Sequence, residues 1–151
     1  MIELTKVSAT ISAPVETVFK YVTNMENYID WFPDVVAIRS NSDLPYTTVG
    51  KTYVETLLFP EGESQLTIEV VKCEENELFL TQGDLAGFLP QMTIYFSPHK
   101  SNQCNLTLQY DGRDPDLVDC TETVSSLRVN LFARAEQGVT NLQTLLGEQV
   151  V

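Results

Sequence analysis

Residues Ile11 to Asp34 read ISAPVETVFKYVTNMENYIDWFPD and are the most informative part of the sequence for predicting the fold. Its first half predicts a short helix that directly follows a strand ending at Ile11. Ser12 or Ala13 can cap this helix, and Pro14 occupies the first turn, where the missing N–H of proline costs no hydrogen bond. The apolar side chains after the proline recur at helical spacing and form one stripe: Val15, Val18, Phe19 and Val22.

The second half of the stretch predicts another short helix. Thr23-x-x-Glu26 matches the capping-box pattern, in which two side chains satisfy the free N–H groups of a helix start. Trp31 and Phe32 end this helix, because Pro33 follows and a proline drives the preceding residue out of the helical conformation. Two short helices therefore follow the first strand.

A long helix is predicted at the far end of the chain, from the capping-box-like Asp119-x-x-Glu122 to Gly147. A helix of on the order of 25 residues is roughly 40 Å long. Its apolar residues fall within one arc, so it is expected to pack lengthwise on another layer. The arc contains Val124, Leu127, Leu131, Phe132, Ala135, Val139, Leu142, Leu145 and Leu146.

Arg128 lies inside this apolar arc. A guanidinium among apolar neighbours must be paired or must extend to water. Three interpretations are open: the side chain reaches solvent at the start of the helix, it forms an internal ion pair with Glu55, or it meets an acidic or phenolic group of a bound ligand.

Seven strands are predicted between and around these helices from alternating apolar residues and intervening turn residues. Short turns join most of them, so the sheet is expected to be antiparallel. Which face of the third strand points inward is open, because Tyr53 and Glu55 alternate with Val54 and Thr56. The predicted strands are 4–11, 35–40, 50–59, 65–73, 78–82, 91–97 and 104–110. On the last two, one face is expected to be buried: Met92, Ile94, Phe96, Leu106, Leu108 and Tyr110.

Composition restricts the class of partner. Of 151 residues, 43% are hydrophobic and 20% are charged, which is ordinary for a globular protein. The formal net charge is −12, with 9 basic and 21 acidic residues. Nucleic-acid binding requires clustered Lys and Arg, so we expect no nucleic-acid partner. The same charge disfavours an anionic membrane surface, and no apolar run approaches the roughly 20 residues of a membrane span.

The cysteines and the N-terminus favour a cytoplasmic protein. Cys73, Cys104 and Cys120 are odd in number and widely separated, which is typical of reduced thiols rather than of a disulfide framework. The first ten residues lack the apolar core of a secretion signal. No linker or repeat divides the chain, so a single domain over residues 1–151 is expected. The oligomeric state is left open.

Motifs that carry chemistry are scarce. The chain has neither C-x-x-C nor H-E-x-x-H, and its acidic cluster at 111–119 departs from the spacing of a calcium loop, so no metal or cofactor is expected. The one histidine, His99, lies in a predicted turn, which is a poor place for a catalytic base. No catalytic residue is therefore assigned.

The N-terminal pattern I-x-A-P-x-x-x-V-F-x-Y-V-x-x-x-x-x-Y-x-x-W-x-P-x-V resembles the START-like superfamily, also called SRPBCC. Gly50 stands where that family has the glycine that opens the third strand. The strand order and the long last helix agree as well, so the resemblance covers nearly the whole chain. The matching residues are Ile11, Ala13, Pro14, Val18, Phe19, Tyr21, Val22, Tyr28, Trp31, Pro33 and Val36.

The resemblance implies an α+β helix-grip fold. A seven-stranded antiparallel sheet curls round the long C-terminal helix, two short helices follow strand 1, and a cavity lies between sheet and helix. Family members bind lipids, sterols, polyketides or plant hormones there, but they share no catalytic motif. The candidate ligand-binding residues in this chain are Trp31, Phe32, Tyr53, Glu55, Met92, Phe96, Arg128 and Phe132.

Three functions are compatible with these features. The first is binding of a small hydrophobic ligand, lipid-like or polyketide-like, in the cavity. The second is a cyclase- or dehydrase-like enzyme, in which Arg128 and Tyr53 would polarise a carbonyl and Glu55 would move a proton. The third is a protein-interaction module of the co-chaperone kind, whose acidic surface would steer a basic partner.

Overall fold

The computed structural model describes residues 1–59 and 61–147, so residues 60 and 148–151 of the predicted domain lie outside the described part. A short 3-10 segment, Met25–Asn27, joins the first two helices. The strands are β1 (Ile2–Ile11), β2 (Val35–Ser40), β3 (Thr52–Phe59), β4 (Gly62–Glu74), β5 (Leu78–Gly83), β6 (Pro90–Pro98) and β7 (Cys104–Gly112). The helices are α1 (Val15–Thr23), α2 (Tyr28–Trp31) and α3 (Glu122–Gly147).

The strands form one antiparallel sheet of seven, in the order β1-β7-β6-β5-β4-β3-β2. From β2 to β7 each strand pairs with the next in sequence, while β1 pairs with β7 and leaves its other edge free. The long C-terminal helix packs along β1, and two short helices follow that strand. The predicted helix-grip α+β fold is confirmed. Among the described helices, none is both long enough and apolar enough to cross a membrane.

The three helix starts differ from the predicted caps. Pro14 is the N-cap of α1, with extended backbone and no side-chain cap hydrogen bond, so neither Ser12 nor Ala13 caps it. The Thr23-x-x-Glu26 capping box is wrong, because the Thr23 hydroxyl donates back to the Phe19 carbonyl. Asn24 caps this turn instead, and its side-chain oxygen accepts from Glu26 N.

The start of α3 is also capped differently from the prediction. The Thr121 hydroxyl oxygen accepts from Val124 N at 3.3 Å, so Thr121 has the capping role that the pattern gave to Asp119. The Asp119 carboxylate is instead bound to the guanidinium of Arg128. A short polar side chain can occupy either position, and the backbone direction decides between them.

The inward face of β3 is now defined. Tyr53, Glu55 and Leu57 are buried, and the side chains that alternate with them are more exposed. Glu55 lies opposite Leu66 of β4 in the sheet register. The predicted buried faces of β6 and β7 are confirmed, because all six of their apolar side chains are at most 5% exposed.

The helix α3 is attached to the free edge of β1 at two points. The guanidinium of Arg128 donates to the Glu3 carbonyl, at 3.1 Å from Nη2, and the Gln143 amide donates to the Thr10 carbonyl at 3.0 Å. The stretch from 128 to 143 rises about 22 Å in a helix, and the stretch from 3 to 10 extends about 23 Å in a strand. These matched lengths let the helix lie along the strand.

Gly138 sets how closely α3 approaches α2. A Cβ atom at this position would lie 3.3 Å from Cδ1 of Phe32 and 3.4 Å from Cε3 of Trp31. The glycine therefore marks a close approach to two aromatic rings. Trp31 is 1% exposed and closes the space under this part of the helix.

Candidate functional site

A cavity of about 280 Å³ lies between the inward faces of β3 and β4, the loop before β6, and α3. Most of its wall is apolar. The exposed residues Ala86, Gly87, Thr123 and Asn130 mark its mouth. The deeper wall is formed by Tyr28, Phe32, Glu55, Leu57, Leu66, Leu85, Phe88, Pro90, Tyr110, Leu127, Leu131 and Arg134.

The helix contributes one flank to this cavity rather than its most buried line. Thr123, Leu127, Asn130 and Arg134 follow one another at intervals of three or four residues, so they share a stripe of the helix surface. Leu131 borders the stripe on its buried side. The flank faces the open space while the centre of the apolar arc packs on the sheet.

A smaller chamber of about 30 Å³ continues the cavity inward. It shares Tyr28, Glu55, Leu66, Pro90 and Tyr110 with the main cavity, and these five residues form the boundary between the two. Its remaining wall consists of Met25, Ile68, Thr81, Gly83 and Met92.

Glu55 is the charged group at this boundary. Glu55 is 4% exposed, and within the described residues 1–59 and 61–147 the influences on its carboxyl group are burial and the charge of Arg134, with no hydrogen bond among them. Burial disfavours the charged form and raises the pKa of Glu55 from its ordinary value of 4.5 to about 7, although the positive charge of Arg134 opposes this shift. Near neutral pH the carboxyl group can therefore take up or release a proton.

Two tyrosine hydroxyls lie beside Glu55 but are bonded to each other. The Tyr110 hydroxyl donates to Sδ of Met92 at 3.1 Å, so the hydroxyl of Tyr28 is the donor in the short bond to Tyr110. Burial raises the pKa of both phenols, so they stay neutral at physiological pH. Both protons are used in this chain, and neither is directed at the carboxylate.

Arg134 carries the positive charge of the cavity wall, and it is held by Asp34. Its Nε and Nη2 atoms each lie 3.0 Å from Oδ2 of Asp34. The arginine side chain is 12% exposed and the aspartate side chain 49% exposed, so the pair sits at the surface end of the site. Asp34 thus balances the charge of Arg134 and leaves Glu55 without a direct counter-ion.

Aromatic rings form the wall next to Glu55. The rings of Tyr28 and Phe32 are stacked, with centroids 4.9 Å apart, and the ring of Tyr110 lies 5.5 Å from that of Phe32. Phe88 adds a fourth ring from the loop between β5 and β6. The site therefore combines a buried carboxyl group with several π faces.

Three of the candidate residues lie at this site. Phe32 and Glu55 line the main cavity, and Met92 lines the inner chamber. Their contact with a ligand stays a prediction.

Three other candidates are buried in packed regions and line neither chamber. Trp31 packs edge-on against Tyr28, with centroids 5.1 Å apart. Phe96 packs edge-on against Phe19 of α1 at the same centroid distance. Tyr53 is fully buried, and burial raises the pKa of its phenol to about 12.

The last two candidates lie on the outer surface of α3. Arg128 pairs with Asp119 at 2.7 Å, so of the three interpretations the one that takes it to the surface describes this structure, and Glu55 is not its partner. Phe132 is 46% exposed. Neither residue lines the cavity or the inner chamber, and their contact with a ligand stays a prediction.

The cavity wall also contains three residues that the sequence patterns did not single out as ligand-binding, Arg134, Tyr28 and Tyr110. A usable signal for Arg134 existed, because it lies seven residues after Leu127 and therefore on the same stripe of the helix. The register of the sheet, which places Tyr110 opposite Met92, was needed for the tyrosine pair. No group of three or more His, Cys, Asp or Glu side chains that could hold a metal ion occurs in the described part of the chain.

Comparison with protein families gives one match. The family model described as polyketide cyclase / dehydrase and lipid transport matches residues 3–146. No curated protein matches the chain in sequence.

Solved structures share the fold at low sequence identity. A START superfamily protein from Mycobacterium smegmatis has a TM-score of 0.77 at 14% identity, and the match covers 98% of this chain and 99% of that one. A protein from Thermobifida fusca, solved by NMR in solution, has a TM-score of 0.75 at 18% identity, with 98% and 95% coverage.

A third similar structure is the di-domain aromatase/cyclase StfQ from the steffimycin biosynthetic pathway. It has a TM-score of 0.73 at 12% identity, and 98% of this chain is covered. The chain spans about half of that protein, 52% of its length. At these identities the likeness concerns the fold alone.

Proposed function

The chain belongs to the polyketide cyclase / dehydrase and lipid transport family, and from that membership we propose that it binds a small hydrophobic ligand in the cavity between β3, β4 and α3. One observation carries the proposal: an apolar cavity of about 280 Å³ contains a single buried carboxyl group that has no partner among the described residues. Ligand sites typically combine apolar walls with a few placed polar groups in this way.

The energetics of empty space support occupancy. A dry cavity costs roughly 24 cal/mol per Å³, so one of this size would cost about 7 kcal/mol, which is comparable to the whole net stability of a domain. Water or a ligand should therefore fill it. The volume lies near the lower end of the range for drug-sized ligands, which favours a compact compound of one to three rings over a two-chain lipid.

The first test is binding of N-phenyl-1-naphthylamine, a neutral dye whose fluorescence rises in apolar surroundings. We expect saturable binding to the wild-type protein at one site per chain. Leu127→Trp fills the cavity from the helix side and should weaken binding at least tenfold. Val129→Trp is the matched control, because Val129 lies on the same helix but is 73% exposed. Equal binding by the wild type and both variants would remove the cavity as the site.

Native mass spectrometry of freshly purified protein gives an independent test. An additional mass that is lost on denaturation is the expected result, and its absence from Leu127→Trp together with its presence in Val129→Trp would assign it to the cavity. An additional mass that persists in Leu127→Trp would count against this location.

A second candidate function is enzymatic, and the Glu55 carboxyl group is the specific observation that favours it. A group with a pKa of about 7 is suited to take a proton from a carbon next to a carbonyl at neutral pH. In a cyclisation of the aldol type, that carbon would then attack a second carbonyl, forming one C–C bond and finally releasing one water.

The enzymatic candidate can be tested with 2,4,6-heptanetrione, a small poly-β-ketone that closes to a dihydroxytoluene with loss of one water. Acceleration by the wild type that is lost in Glu55→Gln would support it. Glu136→Gln, an exposed substitution on α3, serves as the control. Equal rates with the wild type and Glu55→Gln would exclude Glu55 as the base for this reaction.

A further inference from the structure

The two charged groups of the cavity wall differ, because among the described residues Arg134 has an ion-pair partner and Glu55 has none. Arg134 is paired through two nitrogen atoms with Asp34, and its positive charge also lowers the pKa of Glu55 without forming an ion pair with it. Glu55 lies deeper and has neither an ion-pair partner nor a hydrogen-bond partner within residues 1–59 and 61–147. When ionised, Glu55 therefore has no direct ion-pair partner in the described interior of the site, and the charge of Arg134 acts on it only from a distance.

No described side chain beside Glu55 donates a hydrogen bond to its oxygens. The Tyr28 hydroxyl donates to Tyr110, and the Tyr110 hydroxyl donates to Met92. The neighbouring wall also contains the apolar side chains of Leu66 and Pro90. A ligand that brings N–H donors and a positive charge would satisfy what the protein leaves open.

The aromatic wall favours the same chemistry. The rings of Tyr28, Phe32, Phe88 and Tyr110 line the cavity that Glu55 borders. A cation near the face of such a ring is attracted by its quadrupole, and the attraction grows when water is excluded. An anionic ligand would meet both the electron-rich faces and the carboxylate, and the net charge of −12 would repel it from outside.

We propose that the ligand is a hydrophobic amine of one or two rings, whose ammonium group binds the Glu55 carboxylate beside Tyr28 and Tyr110 while its rings lie between Leu66 and Leu127. This rests on the proposed function, since it assigns a chemical class to the ligand of the same cavity. A charge-assisted hydrogen bond in a water-poor site is stronger than a neutral one, so the amine should bind at least tenfold more tightly than an alcohol of the same shape.

The test uses three compounds with one ring system: 1-naphthylmethylamine, 1-naphthalenemethanol and 1-naphthoic acid. Their dissociation constants are measured by calorimetry at pH 8. The expected order of affinity is amine, then alcohol by a factor of at least ten, then acid. In Glu55→Gln the amine should lose this advantage, while the alcohol should bind within about threefold of its wild-type affinity. Glu136→Gln, which removes an exposed charge from α3, should leave the order unchanged.

The pH dependence provides a second readout. The titratable or charged groups facing Glu55 are Tyr28 from α2, Tyr110 from β7 and Arg134 from α3. The two phenols remain neutral between pH 6 and pH 8 because burial raises their pKa, whereas the pKa of Glu55, about 7, lies inside this interval. Amine affinity should rise over this interval in the wild type and stay flat in Glu55→Gln.

The outcomes separate this inference from the function on which it rests. The amine assignment is overturned if the alcohol binds as tightly as the amine, if the preference survives in Glu55→Gln, or if none of the three compounds binds. In each of those cases, saturable binding of N-phenyl-1-naphthylamine that Leu127→Trp abolishes would leave the proposed function intact. Loss of that dye binding from the wild type would instead reject the proposed function itself.

Discussion

In the C-terminal half of α3, Gly138, Leu142 and Leu146 are buried in a closed core, whereas in the N-terminal half Thr123 and Leu127 border an open cavity. Both halves belong to one continuous helix on one sheet. The difference lies in what fills the space beside the helix. The rings of Trp31 in α2 and of Phe32, its C-cap residue, lie against Gly138 and fill the space beside the C-terminal half. Beside the N-terminal half this space is the cavity.

The size of the side chains on α3 therefore does not determine where the cavity forms. Glycine in the closed half brings α3 within van der Waals contact of an indole ring. Leu127 and Leu131 in the open half border the cavity. The opposite wall of the cavity is formed by β3, β4 and the loop before β6. The cavity therefore depends on the residues that oppose α3 and on the position of α2.

The largest difference in stability should appear when one leucine in each half of α3 is replaced by alanine in separate variants. Leu142 is fully buried, so Leu142→Ala should lower the free energy of unfolding by about 4 kcal/mol through lost burial and a new void. Leu127 is half-buried beside existing space, so Leu127→Ala should cost only about 1 kcal/mol. Urea unfolding of both variants measures the difference. Equal losses would mean that the two halves are packed alike.

The second prediction concerns the carboxyl group of the open half. The pKa of Glu55 is raised in the folded protein, so folding is opposed once pH rises above its ordinary value, and the full cost is reached above pH 7. The difference between 4.5 and about 7 corresponds to about 3 kcal/mol. Glu55→Gln should therefore be more stable than the wild type by about that amount at pH 8.

At acid pH, Glu55→Gln should no longer be more stable than the wild type. Below about pH 4.5 Glu55 is protonated in both the folded and the unfolded chain, so the difference in unfolding free energy between Glu55→Gln and wild type should be small. Glu136→Gln, on the exposed side of α3, controls for the general effect of net charge. A Glu55→Gln difference that is constant between pH 4.5 and pH 8 would contradict a raised pKa.

The third prediction adds volume rather than removing it. Gly138→Val should cost about 2 kcal/mol, because the new side chain would collide with the rings of Trp31 and Phe32. Asn130→Val places the same side chain at the mouth of the cavity and should change stability by less than about 0.5 kcal/mol. Thermal unfolding monitored by the fluorescence of Trp31 measures both. A Gly138→Val variant as stable as the wild type would show that the closed half has spare room.

The smallest change in dye affinity is expected for Arg128→Ala. It tests whether Arg128 lies outside the cavity. Arg128 is bound to Asp119 and Glu3 outside the cavity, so Arg128→Ala should leave the affinity for N-phenyl-1-naphthylamine within about twofold. Arg134→Ala removes part of the cavity wall and should weaken the dye roughly threefold. A larger loss with Arg128→Ala than with Arg134→Ala would restore Arg128 as a ligand-binding residue.

Most of the fold could be predicted from the sequence. Gly, Pro and Asn residues separate the alternating runs clearly, so the predicted strand limits fall within three residues of the observed ones. The periodic arc of α3 identified most of its buried face, because Val124, Leu131, Ala135, Val139, Leu142 and Leu146 are all at most 5% exposed. It was too wide at its border, where Phe132 and Leu145 are 46% and 37% exposed. Local spacing carries this information because helices and strands have different repeats.

The site was less accessible to sequence reasoning for two physical reasons. Helical projection gives the direction of a side chain but not where along the helix the sheet ends. It therefore left three interpretations open for Arg128, which lies beside the start of β1. The facing of β3 could not be inferred because both of its faces carry apolar residues, and only the pairing with β4 places Glu55 inward. Two predicted caps were wrong because a neighbouring polar residue, Asn24 or Thr121, takes the role, and the start of α1 has Pro14 as its N-cap with no side-chain cap hydrogen bond.

The attachment of α3 to β1 also affects how copies of the molecule meet one another. An outer strand with free carbonyls can recruit a strand from another chain and begin aggregation. Here the Glu3 and Thr10 carbonyls are already occupied by Arg128 and Gln143, so an incoming strand would first have to displace both side chains. The helix that borders the cavity thus also hinders strand pairing between molecules at the β1 edge of the sheet.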